Sequence, residues 1–436
     1  MAPIRLALII ILILPTGLWG LAEIFAPGAY RSLHPLFTQY TGGMGLAMMS
    51  LAMILATRPK WLERPLNGLD KMYRLHKWLG ITGLVFILAH WSWTPGQQLQ
   101  RRRGWADAPP DGVQAWLEGQ QAIAEAAGEW AFYAILVLII LALLRWFPYH
   151  LFQKTHRLLA VAYLPIVYHS VMLMRFEYWL QPVGWIMAAL MIAGTAAAAM
   201  VLTGRVAMSR KFGGTIRSLT FYPRLRVIEG EVTLAPGADW PGHKPGQFAF
   251  VTDKRHEGAH PYTIASDWVP QDRHLVFFVK ELGDYTNQLP RQLKRGMTVT
   301  VEGPYGCFDF TDAHPRQIWV AGGIGITPFI ARMKYLAHHP DEKKPIDLFF
   351  GTDEYEQDAA DKLIADASAA GVRLHLYFRP RDGVISGATL RATVPEWHQA
   401  SAWFCGPTRF GKAVKRDLVR NGLARGDFHQ ELFRMR

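Results

Sequence analysis

Cysteine is almost missing from this chain: Cys307 and Cys405 are the only two in 436 residues, and both lie in its second half. With no CxxC pair and no clustered thiols, a disulfide framework, a cysteine zinc site and an iron-sulfur cluster are excluded. Uniform hydrophobicity is missing too. Half of the residues are hydrophobic and 16 are Trp, yet the mean hydropathy is only +0.06. That is too polar for a membrane bundle alone, so a soluble part must accompany any membrane part. Acidic residues are fewer than basic ones, 35 against 47, which leaves a formal net charge of +12. The excess is spread over loops flanking apolar runs, where lipid headgroups and topology account for it and nucleic acid is not implied.

What is present begins with apolar runs of membrane length at residues 5–25, 40–57, 75–94, 129–147, 157–175 and 183–203. Six spans predict an all-α membrane bundle with both termini on one side. Arg58, Lys60, Arg64, Lys71, Arg74 and Lys77 lie between the second and third runs, Arg145, Lys154 and Arg157 between the fourth and fifth, and Arg205, Arg210 and Lys211 after the sixth. The positive-inside rule assigns these loops and the C-terminal half to the cytosolic face of a plasma or inner membrane. Arg101, Arg102 and Arg103, on the other side, are the exception. The first run also carries signal-peptide features, Arg5 ahead of Leu6 to Leu14 and then Gly20-Leu21-Ala22, and the remaining topology is the same if it is cleaved. Residues 95–128 form the long external loop, with an amphipathic helix expected from Val113 to Ala127.

Four histidines fall inside these runs. His76 and His90 are 14 residues apart, and His156 and His169 are 13 apart. In helices rising ~1.5 Å per residue, each pair is separated by ~20 Å along its axis. An ionisable side chain in hydrocarbon is costly and faces a partner inside the bundle. Because the third and fifth spans both run outward, His76 and His156 share the cytosolic level and His90 and His169 the outer level. Each level then has one histidine from each helix, as a six-coordinate haem iron requires. Fourteen residues return to within ~40° of the same helix face, whereas thirteen miss by ~140°. Pro165 lies between His156 and His169, and a kink or local unwinding there is expected to supply the rotation. Any one of these histidines alone is better explained by hydrogen bonding within the bundle. Two matched pairs predict two stacked b-type haems.

After Lys211 the apolar runs shorten and alternate, as in Val276-Phe277-Phe278-Val279 and Val299-Thr300-Val301, which predicts a small antiparallel β-barrel to about residue 310. From Gln317 the pattern becomes strand, glycine turn, helix. Ile318 to Ala321 reads as a buried parallel strand, Gly322-Gly323-Ile324-Gly325-Ile326 as the turn, and Thr327-Pro328 as a helix cap with proline at its first position. Such a turn lets a pyrophosphate approach backbone N–H groups at a helix N-terminus. Strands at Asp347 to Gly351 and Arg373 to Phe378 complete an α/β doubly wound unit. Two further segments, His260-Pro261-Tyr262-Thr263-Ile264-Ala265-Ser266 and Lys280-Glu281-Leu282-Gly283-Asp284-Tyr285-Thr286, combine aromatic, hydroxyl, cationic and glycine residues suited to a flavin and its phosphates.

These segments, with Gly303-Pro304-Tyr305-Gly306, the run from Gly322 to Phe329 and Cys405-Gly406-Pro407, occur in the order found in ferredoxin-NADP reductase-like dehydrogenase domains. Joined to six spans with paired histidines, the chain resembles the ferric reductase and NADPH oxidase superfamily over nearly its whole length. The resemblance implies three domains: a di-haem transmembrane domain at 1–205, an FAD-binding β-barrel at 206–312 and an NAD(P)H-binding α/β domain at 313–436. It implies that His76, His90, His156 and His169 hold two haems, and that His260 to Ile264, Ser266, Lys280, Gly283, Tyr285 and Thr286 hold FAD. It further implies that Gly322, Gly323, Gly325, Thr327, Pro328, Arg379, Cys405, Gly406 and Pro407 hold the nicotinamide nucleotide, with Thr263, Cys405 and Phe433 at the hydride-transfer centre. Phe433 matches the terminal aromatic that covers the flavin.

The chain departs from the family after the second strand of the α/β domain, where many relatives carry an arginine for a 2′-phosphate and this one has Gly351-Thr352-Asp353-Glu354. Acidic groups there favour NADH, while Arg379 and Arg381 after the next strand favour NADPH, so both nucleotides stay open. No EF-hand loop is present. A nicotinamide releases an electron pair and haem iron takes one electron at a time, so a flavin between them is a chemical necessity. The expected function is transmembrane electron transfer from cytosolic NAD(P)H through FAD and two bis-histidine haems to an outer acceptor. That acceptor is oxygen, giving superoxide, or a ferric chelate. Two other readings compete: a relay subunit serving a separate external protein, and a haem-free transporter with a regulatory flavodomain.

Overall fold

The computed structural model describes residues 2–25, 33–94, 112–144, 146–253, 258–283 and 285–431. It divides into two units, one ending at Met208 and one running from Ser209.

Among the described residues, six long helices dominate the first unit: α1 (Ala2–Phe25), α2 (Leu33–Ala56), α3 (Leu69–Trp93), α4 (Gly112–Leu143), α5 (Tyr149–Leu173) and α6 (Pro182–Leu202). Among the described residues, four stretches are long and apolar enough to cross a membrane: Ile4–Ile24, Trp116–Leu143, Leu151–Leu173 and Pro182–Leu202. Their outward faces carry bare aliphatic side chains such as Ile13, Val137, Val161 and Ile192, which water would penalise and lipid would not. α2 and α3 fall below that level of hydropathy. α2 lies against α3 and α6, and α3 carries Asp70, Lys71, Arg74 and Lys77 in its first turns. The amphipathic helix expected from Val113 to Ala127 is not separate; it is continuous with the following apolar run in the 32-residue α4. Arg101 to Arg103 lie outside the described residues.

The second unit contains two sheets. β1 (Lys211–Tyr222), β2 (Val227–Leu234), β3 (Phe248–Thr252), β4 (His260–Thr263), β5 (His274–Lys280) and β6 (Thr298–Tyr305) form an antiparallel sheet in the order β4-β3-β6-β1-β2-β5. Its two outer strands meet through a bridge between Ile264 and Phe277. Pro261, which has no N–H to give, is accommodated on outer strand β4 opposite Phe250. The other sheet is parallel, with β7 (Arg316–Gly322), β8 (Ile346–Thr352), β9 (Arg373–Phe378), β10 (Ala400–Cys405) and β11 (Phe428–Gln430) in the order β11-β10-β7-β8-β9. Helices α7 (Thr327–His338), α8 (Gln357–Ala370) and α9 (Thr408–Arg420) accompany it. One apolar core gathers Phe308, Phe310, Trp319, Phe329 and Trp403, and the other gathers Ile318, Phe349, Phe404 and Val414. The central strands are therefore buried on both sides, as parallel strands must be. The expected cap at Thr327 is corrected. Thr327 is already helical, and its hydroxyl donates back to the Ile324 carbonyl at 2.8 Å.

Candidate redox site

Helices α3 and α5 bring the four histidines of the first unit together two by two. His76 meets His156 with ring centroids 5.7 Å apart and planes at 67°. His90 meets His169 at 6.2 Å and 89°. Two imidazoles bonded through one nitrogen each, at about 2 Å, to a metal ion between them have centroids on the order of 6 Å apart. The second nitrogen is engaged in three of the four rings. Nδ1 of His76 lies 2.9 Å from the Ala52 carbonyl, that of His90 3.0 Å from Thr38 and that of His169 2.9 Å from Ala124. A carbonyl only accepts, so each of these Nδ1 atoms donates and each Nε2 keeps its lone pair, the tautomer that a metal ligand needs. Among the described residues Nδ1 of His156 is buried with no hydrogen-bond partner, and its ring stacks on Phe152 with centroids 5.0 Å apart.

Glycine makes room for two of the rings. A Cβ on Gly128 would stand 2.2 Å from Nδ1 of His169, and one on Gly42 3.0 Å from Cε1 of His90. Among the described residues no group of three or more His, Cys, Asp or Glu is arranged to hold a metal ion. A two-histidine site suits a metal that arrives with its other ligands, as haem iron does. The residues thus fit two haems. α5 runs unbroken through Pro165, so local unwinding is not the means by which both of its histidines reach α3.

In the antiparallel sheet the two expected flavin segments lie side by side. Tyr285 stacks on His260 with centroids 4.0 Å apart and planes at 9°, and its hydroxyl donates to Asp253 at 2.6 Å. Thr286 Oγ1 accepts from the N–H groups of Leu282 and Gly283 at 2.8 and 3.1 Å, which closes the loop into a tight turn. A Cβ on Gly283 would meet nothing within 4 Å. An aromatic pair beside an open glycine turn fits a flavin nucleotide. Ile264 and Ser266 turn inward instead: Ile264 bridges to Phe277, and Ser266 Oγ accepts the Val276 N–H at 3.2 Å. Thr263 is buried opposite Phe248, and Lys280 is ion-paired with Glu354.

In the parallel sheet the winding reverses between β7 and β10, the switch point at which open α/β sheets bind ligands beyond their carboxyl ends. There the two expected glycine turns touch. A Cβ on Gly325 would stand 2.3 Å from the Cys405 carbonyl oxygen, and one on Gly322 2.8 Å from Pro407 Cδ. Gly406 adopts a φ of +156°, with Gly322 N only 3.0 Å from where its Cβ would be. The turn from Gly323 to Ile326 leads into Thr327 and Pro328 of α7, so its backbone faces a helix N-terminus. Arg379 pairs with Asp353 and Arg381 with Asp382. Phe433 lies outside the described residues. The sequence reading passed over Glu431, a buried carboxylate whose Oε2 stands 4.0 Å from the buried thiol of Cys405. Its only signal was its place two residues before Phe433.

Comparison with known proteins gives two family matches: residues 41–167 match the ferric reductase like transmembrane component, and residues 232–308 match an FAD-binding domain. The chain joins these two modules. The first match takes in His76, His90 and His156 and stops just short of His169, while the second takes in both flavin segments. This is the domain architecture of ferric reductase and NADPH oxidase-like flavocytochrome oxidoreductases. Among curated relatives, the glycine betaine monooxygenase reductase subunit of Chromohalobacter salexigens is 29% identical over 44% of this chain and 56% of its own length. Respiratory burst oxidase homolog protein E of Arabidopsis thaliana is 26% identical over 47% of this chain and 23% of its own. The carnitine monooxygenase reductase subunit of Escherichia coli is 29% identical over 33% of this chain and 43% of its own. The chain thus spans between 23% and 56% of the length of these relatives. The FAD/NAD-binding domain of a Vibrio cholerae nitric oxide dioxygenase superposes with a TM-score of 0.44 at 18% identity, covering 50% of this chain and 97% of that one.

Proposed function

We propose that this ferric reductase-like membrane protein transfers electrons from cytosolic NAD(P)H, through FAD and two bis-histidine haems, to an acceptor on the outer side of the membrane. The observation that carries the proposal is the double histidine pair, with centroids 5.7 and 6.2 Å apart and three Nδ1 atoms held by backbone carbonyls. In this reading six spans and the di-haem site occupy residues 1–205, an FAD barrel 206–312 and the nucleotide domain 313–436, the last two in the cytosol.

The chain's own groups divide the work. His76 and His156 would hold one haem iron and His90 and His169 the other, with Nε2 the ligating atom of His76, His90 and His169. FAD, when bound, accepts a hydride and releases its electrons singly, which suits haem iron. His260, Tyr262, Tyr285 and the Gly283 turn grip the flavin. The Gly322 to Gly325 turn admits the pyrophosphate, and Cys405 with Glu431 borders the hydride path. A haem held by two histidines would supply one-electron transfer without a free protein ligand at its iron, and the outer pair, His90 and His169, would be the one that serves the acceptor. Oxygen and ferric chelates both suit such transfer.

Delivery to a separate protein is the second reading, favoured by relatives whose names are reductase subunits. One experiment tests both. Purified protein loaded with haem and FAD is reduced anaerobically by NADH or NADPH, then given oxygen or a ferric chelate while its visible spectrum is followed. Haem that reduces, and reoxidises rapidly with either small acceptor, supports the first reading. Reoxidation slow with both favours the relay. Absence of a Soret band would leave only the haem-free transporter reading.

A further inference from the structure

The adenosine end of a nicotinamide nucleotide is read at the carboxyl ends of the second and third strands of such a sheet, here β8 and β9. This inference rests on the nucleotide site proposed above. Thr352 and Phe378, the last residues of β8 and β9, lie in register. Asp353 and Glu354 follow the first, and Arg379, Arg381 and Asp382 follow the second. Each cation there already has a carboxylate. Arg379 pairs with Asp353. Arg381 reaches Asp382 twice, through Nε at 2.8 Å and Nη2 at 3.0 Å, and Asp382 also accepts the Phe378 N–H at 2.9 Å. Lys280, arriving from the antiparallel sheet, pairs with Glu354. Three carboxylates and three cations are matched one to one.

We propose that the chain selects NADH over NADPH and that Asp353 is the residue that decides it. A carboxylate at the end of the second strand accepts hydrogen bonds from ribose hydroxyls, whereas a 2′-phosphate in the same place meets like charge. Arg379, the cation paired with Asp353, is the one placed to answer that phosphate. The Asp353–Arg379 pair is exposed, at 57% and 60%, so it is weak and easily opened. Opening it does not help NADPH, because drawing Arg379 onto the phosphate leaves Asp353 unpaired beside a dianion. Selection therefore comes from the carboxylate and not from the strength of the pair. Removing its charge should turn Arg379 into a phosphate ligand.

The test uses the full chain in detergent, loaded with FAD. Calorimetry compares binding of 5′-AMP and of adenosine 2′,5′-bisphosphate, and anaerobic stopped-flow absorbance gives kred/Kd for flavin reduction by NADH and NADPH. The natural protein should favour NADH by about tenfold or more and bind the bisphosphate no tighter than 5′-AMP. Asp353→Asn should raise bisphosphate affinity and NADPH kred/Kd by about five- to tenfold, the effect of one unit charge at ~4 Å in water-like surroundings. Adding Arg379→Ala should cancel that gain, while Asp353→Glu should keep the NADH preference. NADPH preference in the natural protein, or an unchanged nucleotide ratio in Asp353→Asn, overturns the proposal and leaves the dehydrogenase reading standing. Failure of both nucleotides to reduce a flavin that dithionite bleaches overturns both.

Discussion

Replacing Gly128 by alanine should remove one haem and spare everything else. The added Cβ would stand 2.2 Å from Nδ1 of His169, 2.7 Å from Cε1 and 2.8 Å from Cγ. Non-bonded heavy atoms rest near 3.5 Å, so the ring must retreat by more than about 1 Å, far beyond the ~0.2 Å tolerance of a metal-ligand bond. The retreat also breaks the hydrogen bond from Nδ1 to the Ala124 carbonyl, 2.9 Å long. Overpacking contributes about 1–3 kcal/mol and the lost hydrogen bond about 1 kcal/mol. Together, about 2–4 kcal/mol weakens haem retention at the His90–His169 site by roughly thirtyfold to a thousandfold. The haem-to-protein ratio should fall from two towards one, and a potentiometric titration should lose one of two components. Flavin reduction by nucleotide should not change, because Gly128 lies in the other unit. Gly42→Ala, whose Cβ meets His90 at 3.0 Å, should have a milder effect, and Gly80→Ala, with nothing within 4 Å, none. A Gly128→Ala protein with two haems and unaltered potentials would refute the reasoning.

Further expectations concern each part of the chain. His76→Ala and His90→Ala should each abolish one haem and retain the other, read as a halved Soret absorbance; loss of both or of neither contradicts independent sites. Tyr285→Ala removes the ring stacked on His260 and the bond to Asp253, and should weaken FAD binding about tenfold in a fluorescence titration. Asp312 accepts from Ser401, Gln317, Lys344 and Trp403. Burial pushes its carboxyl up, but these four bonds outweigh that and hold it below the ordinary range. Asp312→Ala strands several donors and should destabilise the nucleotide half by roughly 3–5 kcal/mol, visible as a lower melting temperature. His243 is held down to about 4, first by burial, while its bond to the Ser266 carbonyl and nearby Asp267 oppose the shift. Its folded value lies below its unfolded value, so the unfolded chain binds the extra proton. Stability from this residue is present above pH ~6.5 and is lost as pH falls towards ~4, by roughly 3 kcal/mol in all. His243→Gln should flatten the pH dependence of the melting temperature across that window; an unchanged slope would show that another group titrates there.

Legibility in the sequence followed the strength of the periodic signal. The strand at Ile318 to Ala321 and the glycine turn after it were readable because a buried parallel strand has an apolar run with sharp ends. α4 was misjudged as a loop helix and a separate span because Glu118, Glu125 and Glu129 break the apolar run without breaking the helix. The cap at Thr327 failed because a hydroxyl at a helix start can donate back into the preceding turn as readily as it caps. Gly42 and Gly128 were not singled out at all. A glycine inside a helix looks like weakness in sequence, and only the histidine ring from another helix explains it. Glu431 and the pairing of Asp353 with Arg379 depend likewise on contacts between segments far apart in the chain.

The two histidine spacings are not equivalent, and the carbonyl partners say why. His76 and His90 bond to Ala52 and Thr38 of the same neighbouring helix, α2. Both intervals are 14 residues, 76 to 90 on one helix and 38 to 52 on the other, so two helices in antiparallel register repeat the same contact about four turns apart. On α5 the interval is 13. His169 bonds to Ala124 of α4, and the antiparallel counterpart for His156 would be Val137, yet its Nδ1 has no partner among the described residues. The missing residue turns His156 through ~140° relative to His169. It therefore cannot use α4 as His169 does, and it leans on Phe152 of its own helix instead. The stack fixes the plane of the ring but not its tautomer. A hydrogen bond to a carbonyl raises the basicity of the ligating nitrogen, so among the four histidines His156 is the one whose donor strength the fold leaves unsupported. The two candidate haem sites thus differ in a ligand's electronic support while sharing its identity, and a difference in potential between them can arise without any difference in residue type.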